Sequence, residues 1–414
     1  MLPGGRRSLS TWIMERDGTV RNALFMNSSA SDAWEGKEHM SRTAFRRWRT
    51  VASVAAAAAV VAVAGPLPAA LADVASSPSL TANDGAANIA VQGPDDSLVF
   101  YWADNGSTAW QTDTVAGAGT TFGSPAMAVN GGTVDIAAEG PDNTLLFYWA
   151  YSGSPSAWHM ETVGGANSVY SLSNTPSIVI NGDTVNIAVT GPNRSLSFYW
   201  AYTGTGTWHA ETVPAPDVTS APSITVDGNT FYIAVVEDGG QLWVWTAVIG
   251  TGTWKGKQIG LSAFSYFPAI TANGGNVDIV APNQVNGSLD FYSAAVGSSS
   301  WNSETVAGAG STLIVPASIT VNEGMITIAA VGGTVADSQL LFYSAASGSS
   351  TWGKPEPVAG GVSNSAAPSI TANDGAANIS DVTSAGDLEF YWAADGSSAW
   401  QAEPVPGNGT GTTA

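Results

Sequence analysis

One unit is written seven times into this chain, and that repetition limits the fold more than any other feature. Each copy ends on a tryptophan, at Trp110, Trp158, Trp208, Trp254, Trp301, Trp352 and Trp400, with spacings of 48, 50, 46, 47, 51 and 48 residues. Each opens on a proline before an alternating apolar run, at Pro78, Pro125, Pro176, Pro222, Pro268 and Pro368, while the sixth copy displaces it to Pro316. The second copy shows the plan: SPAMAVNGG, TVDIAAEGPDN, TLLFYWAYSGSPS, AWHMETVGG. Its four short runs alternate or are rich in β-branched and aromatic residues, which is the pattern of strands. Asn-Gly and Asp-Gly between the first two runs are the preferred residues of a tight hairpin turn. No stretch after Ala72 combines a 3.6-residue period with helix caps.

Four strands per unit at this period predict an all-β fold, a seven-bladed β-propeller with four antiparallel strands per blade. A closed ring also protects sheet edges that would template aggregation. A solenoid or a row of small sandwiches is the alternative, disfavoured because units this short, without cysteine or metal, rarely fold alone. The blades are expected at about 77–123, 124–174, 175–220, 221–267, 268–315, 316–366 and 367–414. The sequence leaves open whether each blade follows one repeat or the first strand completes the last blade.

The region before the repeats is of another kind. Nine of the thirteen Lys and Arg precede residue 50. From Met40 the chain reads as a secretory signal: Arg42, Arg46, Arg47 and Arg49, then an apolar run from Val51 to Ala64, then Ala70-Leu71-Ala72 as a cleavage site. The run is shorter than the roughly twenty residues of a membrane span. Residues 1–39 are an upstream extension, unstructured or untranslated, 40–72 are the signal, and 73–414 are the exported propeller, secreted and not inserted in a membrane.

Charge excludes several functions. After Ala72 only Arg194, Lys255, Lys257 and Lys354 oppose twenty-eight acids, a net −24. Nucleic acid is a poor partner for such a surface, because phosphate binding needs clustered cations. The chain has no cysteine, which removes disulfides and thiolate metal sites. No cofactor and no metal are expected. His159 and His209 follow the Trp of the second and third copies, where other copies have Gln, Asn or Lys, so they read as a polar slot rather than catalytic groups.

Comparing copies separates scaffold from variation. Leu98, Leu145, Leu196, Leu242, Leu289, Leu340 and Leu388 recur in the third strand and read as packing between blades, as do the fourth-strand tryptophans. The end of the third strand differs: Trp102, Trp149, Trp200 and Trp392 alternate with Thr246, Ser293 and Ser344. A packing-essential position would not accept serine. These four indoles are the candidate stacking platforms for the C–H face of a sugar, each with its own fourth-strand Trp across one hairpin. Asp104, Tyr151, Tyr202 and Asp395 are candidates at the rim. The acid three residues after the fourth-strand Trp (Asp113, Glu161, Glu211, Glu304 and Glu403) lies on the strand face opposite that Trp and reads as solvated or edge-guarding; the sixth copy has Glu356 one place later and the fourth replaces the acid with Lys257.

The stretches IAAEGPDNTLLFYWAYSGSPSAW (136–158) and IAVTGPNRSLSFYWAYTGTGTW (187–208) resemble the repeats of bacterial seven-bladed propeller lectins of the tectonin-like, fucose-binding kind. The turn departs from this pattern in copies four to seven. The resemblance implies sugars held between neighbouring blades, several sites per ring, and glycans or cell-surface polysaccharide as partners. The expected function is a secreted, non-catalytic, lectin-like protein with no catalytic residues. An extracellular protein-interaction or structural propeller is the alternative, and a glycoside hydrolase or lyase using blade-edge carboxylates is the second. Sialidase chemistry is excluded, since it needs an arginine cluster and only Arg194 remains after residue 72.

Overall fold

The computed structural model describes residues 76–407, apart from 84, 105, 152–156, 171–174, 261–266, 314, 374 and 395, together with 13–14 and 20–21. The expected signal at 40–72 and the candidate Asp395 lie outside the described residues. Upstream, Ile13–Met14 pairs antiparallel with Val20–Arg21.

From Ser79 onward, seven four-stranded antiparallel sheets follow one another, each made from consecutive strands of one repeat. Blade two is representative: Ala126–Asn130, Thr133–Gly140, Thr144–Tyr151 and His159–Gly164. The first strands of successive blades are neighbours all the way round, the seventh against the first included. They form the inner wall of a closed ring, a seven-bladed propeller. Among the described residues no strand is exchanged to close it.

The Gly-Pro-Asp/Asn turns show why Asx recurs there. Asp142 and Asn193, directly after the proline, both adopt φ of 57°, and in blade one the next residue, Asp96, adopts 61°, the left-handed conformation that Asp and Asn tolerate better than most residues. In blade two the preceding Gly140 has a different reason. A Cβ there would come within 2.4 Å of the Leu146 side chain.

The cores lie between the blades. Third-strand Leu, Phe and Trp face the following blade, and the intervening Tyr faces the preceding one. Thus Leu98 and Phe100 pack on Met127, Ile136 and Tyr148 of the next blade. All seven third-strand leucines are 0% exposed, and truncating such a residue costs about 2–5 kcal/mol. At six of the seven junctions a fourth-strand Trp sets its ring edge-on or tilted against the previous blade's Phe, for example Trp158 on Phe100 at 5.3 Å and Trp110 on Phe390 at 5.2 Å. At the junction of blades four and five, Val244 replaces the Phe opposite Trp301.

A second set of seam contacts explains the Pro-Ser dipeptide. The Ser79 hydroxyl accepts the Met127 N–H at 3.0 Å, and Ser177, Ser223 and Ser318 do the same for Ile224, Ile270 and Ile370. Ser369 accepts from Leu80 at 3.0 Å and so bonds the last blade to the first. Blades two and five carry Ala126 and Ala269 at this position and have no hydroxyl to offer.

Candidate ligand-binding clefts between blades

Strand alternation places five side chains of each Trp-bearing blade on the face turned towards the next blade. In blade two, Trp149 pairs with Asp135 on the second strand and with His159 on the fourth, and Phe147 pairs with Glu161. Trp158 precedes His159 and therefore faces the opposite way, onto blade one. The two tryptophans that meet at a cleft belong to neighbouring blades. This corrects the expectation that each indole meets the fourth-strand Trp of its own blade across the hairpin.

The fourth-strand acid lies between those two indoles. Trp208 of blade three donates its Nε1–H to Glu161 Oε2 at 2.9 Å, while Trp149 donates to Oε1 at 3.3 Å. The same bond across a seam joins Trp158 to Asp113 at 3.1 Å, Trp254 to Glu211 at 3.1 Å and Trp352 to Glu304 at 3.3 Å. These acids are therefore seam acceptors, not the solvated edge guards expected from the sequence. The hairpin of the following blade approaches the carboxylate, with Gly206 and Gly252 in the left-handed conformation, φ of 61° and 57°, beside Glu161 and Glu211.

Two such seams hold matching clefts. Between blades three and four, Trp200, Tyr202, Asn186, Glu211 and Trp254 line about 180 Å³. Between blades seven and one, Trp392, Asn378, Glu403, Trp110 and Asp104 line about 160 Å³. Each is below the size of a drug-like pocket and suits one small ring. In the second, Glu403 accepts from its own Trp392 at 3.4 Å, and the buried Trp110 indole N–H has no hydrogen-bond partner among the described residues.

The four third-strand tryptophans are half-buried. His159 covers one face of Trp149, stacked at 4.1 Å and 18°, and His209 covers Trp200 at 4.2 Å and 20°. The polar slot is therefore a packing partner of the indole in these blades. Trp102 lies nearly parallel to Phe100 at 5.4 Å. Tyr151 and Tyr202 stand edge-on to Trp149 and Trp200 at 5.7 and 5.8 Å and are exposed. Asp104 lines the cleft of Trp392, at the junction before its own blade.

Sequence reasoning missed the second-strand contributor. Asn88, Asp135, Asn186 and Asn378 stand directly opposite the four tryptophans. Tyr232, Asp278 and Thr327 stand opposite Thr246, Ser293 and Ser344. Only pairing register across the hairpin reveals this, although Asn or Asp in every Trp-bearing copy was a readable signal. Burial pushes the Asp135 carboxyl up to about 7, Thr133 Oγ1–H opposes this with a hydrogen bond at 3.2 Å, and the charge of Glu161 adds to it. Among the described residues no group of three or more His, Cys, Asp or Glu is arranged to hold a metal ion.

No known family model matches the sequence, and comparison with characterised proteins by sequence finds no match. The structure is similar to the BP39L lectin from Burkholderia pseudomallei, with 17% identity over 81% of this chain and 99% of the lectin, at a TM-score of 0.68. It is also similar to a PL25 polysaccharide lyase, an ulvan lyase, with 10% identity over 79% of this chain and 95% of that one, at 0.54. A prolyl endopeptidase matches at 13% identity over 82% of this chain and 51% of its own, at 0.53. At these identities the likeness shows the propeller fold alone.

Proposed function

We propose that this chain is an exported, non-catalytic carbohydrate-binding propeller whose sites are the clefts between Trp-bearing blades. One observation carries the reading: the arrangement indole, carboxylate, indole recurs at seam after seam, which favours multivalent binding over a single reaction centre. The C–H face of a neutral sugar would stack on the open side of Trp200 or Trp392. Its hydroxyls would bond Glu211 or Glu403 and the amide of Asn186 or Asn378, since each carboxylate oxygen has more than one acceptor site. At the Trp392 cleft the unpartnered Trp110 N–H supports a ligand oxygen, because a buried donor without an acceptor carries a desolvation cost. Similarity to a lectin supports the reading at the level of fold.

Catalysis is the second reading. The likeness to a polysaccharide lyase and the Asp135 carboxyl near the Glu161 charge favour it. A glycan array probed with the whole chain, and with W200A and W392A variants, tests the first reading. Binding that weakens in the variants is expected. A folded protein that binds no glycan defeats it, and release of unsaturated sugars from a bound polysaccharide would establish the lyase instead.

A further inference from the structure

The junction between blades four and five keeps the far-wall tryptophan, Trp301, but departs from the pattern at the positions that blade four supplies. Thr246 stands in place of the third-strand Trp, Tyr232 in place of the second-strand Asn or Asp, and Val244 in place of Phe. Lys257 occupies the carboxylate position, opposite Val244, and Lys255 occupies the slot held by His or Gln in the four Trp-bearing blades. The cleft here holds about 640 Å³, against 160 and 180 Å³ at the two matching clefts.

Both lysines point into it. Gly256, between them, pairs with Trp245 on the opposite face, where a Cβ would come within 2.7 Å of the indole ring. Alternation along the strand then sends Lys255 and Lys257 to the cleft side, where both side chains are exposed. Trp301 and the hairpin at Gly297 and Ser298 form the far wall. The Tyr232 hydroxyl holds that hairpin by accepting the Gly297 N–H at 3.0 Å. Two of the four basic residues that follow residue 72 thus converge on one cleft of a chain with twenty-eight acids in the same span.

We propose that this cleft binds an anionic sugar, one bearing a carboxylate or a sulfate. At four of the other six seams a carboxylate accepts the fourth-strand indole N–H, whereas here the Trp301 indole and Lys257 are both donors. An anionic oxygen between them would serve both, and the indole face would take the ring. Two ammonium groups, each with three donors, suit either anion without bidentate geometry. The site is separate from the neutral-sugar clefts and does not depend on them.

Calorimetric titration of the whole chain with trigalacturonate, a chondroitin sulfate tetrasaccharide and inorganic sulfate tests this, at low and at physiological salt. At least one anionic oligosaccharide should bind, more weakly at the higher salt because exposed charges are screened. K255Q/K257Q should weaken that binding at least about tenfold, with an unchanged melting temperature showing that the fold is intact. Preference for trigalacturonate assigns the carboxylate, and preference for the tetrasaccharide assigns the sulfate. Equal affinity of the variant, no binding of either oligosaccharide, or inorganic sulfate binding as tightly as the sugars would overturn the proposal. Loss of neutral-glycan binding in W200A leaves this result untouched, so the two proposals fail separately.

Discussion

The Trp208 indole donates to Glu161 Oε2 at 2.9 Å across the seam between blades two and three, and Glu161 Oε1 accepts from Trp149 of its own blade at 3.3 Å. One carboxylate thus ties two blades together and sets the spacing of two aromatic walls. Hydrogen bonds to a charged group contribute about 1.5–3 kcal/mol. Glu161→Ala should lower unfolding stability in urea by about 1–3 kcal/mol. Glu161→Gln should lower it less, because its carbonyl still accepts one indole. A double-mutant cycle with Trp208→Phe should show coupling of about 1 kcal/mol. Strict additivity would mean that the bond contributes nothing to stability.

The serine ring gives a prediction in the stabilising direction. Five seams carry a hydroxyl that accepts the next blade's N–H, and those beginning at Ala126 and Ala269 do not. Ala126→Ser should therefore raise stability by about 0.5–1 kcal/mol and Ser177→Ala should lower it by a similar amount. The midpoint of chemical unfolding measures both. A destabilised Ala126→Ser would show that the hydroxyl does not reach Ile178.

Buried carboxylates set the pH dependence. Asp135 is raised to about 7 from 3.8 by burial, and burial also raises Asp278 and Glu237, and Asp381 well above its ordinary value. The folded state keeps protons that the unfolded chain releases. For Asp135 that stability is complete below about pH 4 and is lost as pH rises through about 7. Thermal unfolding should therefore occur at a higher temperature on the acidic side of neutrality than at pH 8. Asp135→Asn, the residue already present at Asn88, Asn186 and Asn378, should stabilise by roughly 1–3 kcal/mol at pH 8 and by little at pH 4. A gain of the same size at both values would contradict the assignment.

Gly256 should be intolerant of any side chain, because the Trp245 ring lies 2.7 Å from where its Cβ would be. Trp245 is itself buried and anchored by its N–H to Glu237 at 3.0 Å. Gly256→Ala should cost about 1–3 kcal/mol through overpacking, measured by thermal unfolding. An unchanged melting temperature would mean that Trp245 moves aside without cost.

Much of this was legible in the chain. Seven copies of one pattern define four strands each, and Leu98 and its six counterparts could be assigned to packing because every copy keeps them. The four variable tryptophans could be found because three copies replace them. What could not be read is contact across a seam. Alternation alone turns Glu161 away from Trp158, but the group it then meets, Trp208, is supplied by a different repeat and fixed only when the ring closes. The same gap hid the place of Asp104 in the cleft of Trp392, while the stacking of His159 on Trp149 waits on the pairing register within the blade. Each depends on pairing register or on a neighbouring blade, not on spacing within one copy.

The most direct measurement is a crystal structure of the chain with a neutral glycan selected from the array. The expected result is a sugar ring against Trp200 with hydroxyls on Glu211 and Asn186, and a second against Trp392 with hydroxyls on Glu403 and Asn378. A glycan seated in the central channel or on the outer strands, with both clefts empty, would contradict the assignment of these clefts as binding sites.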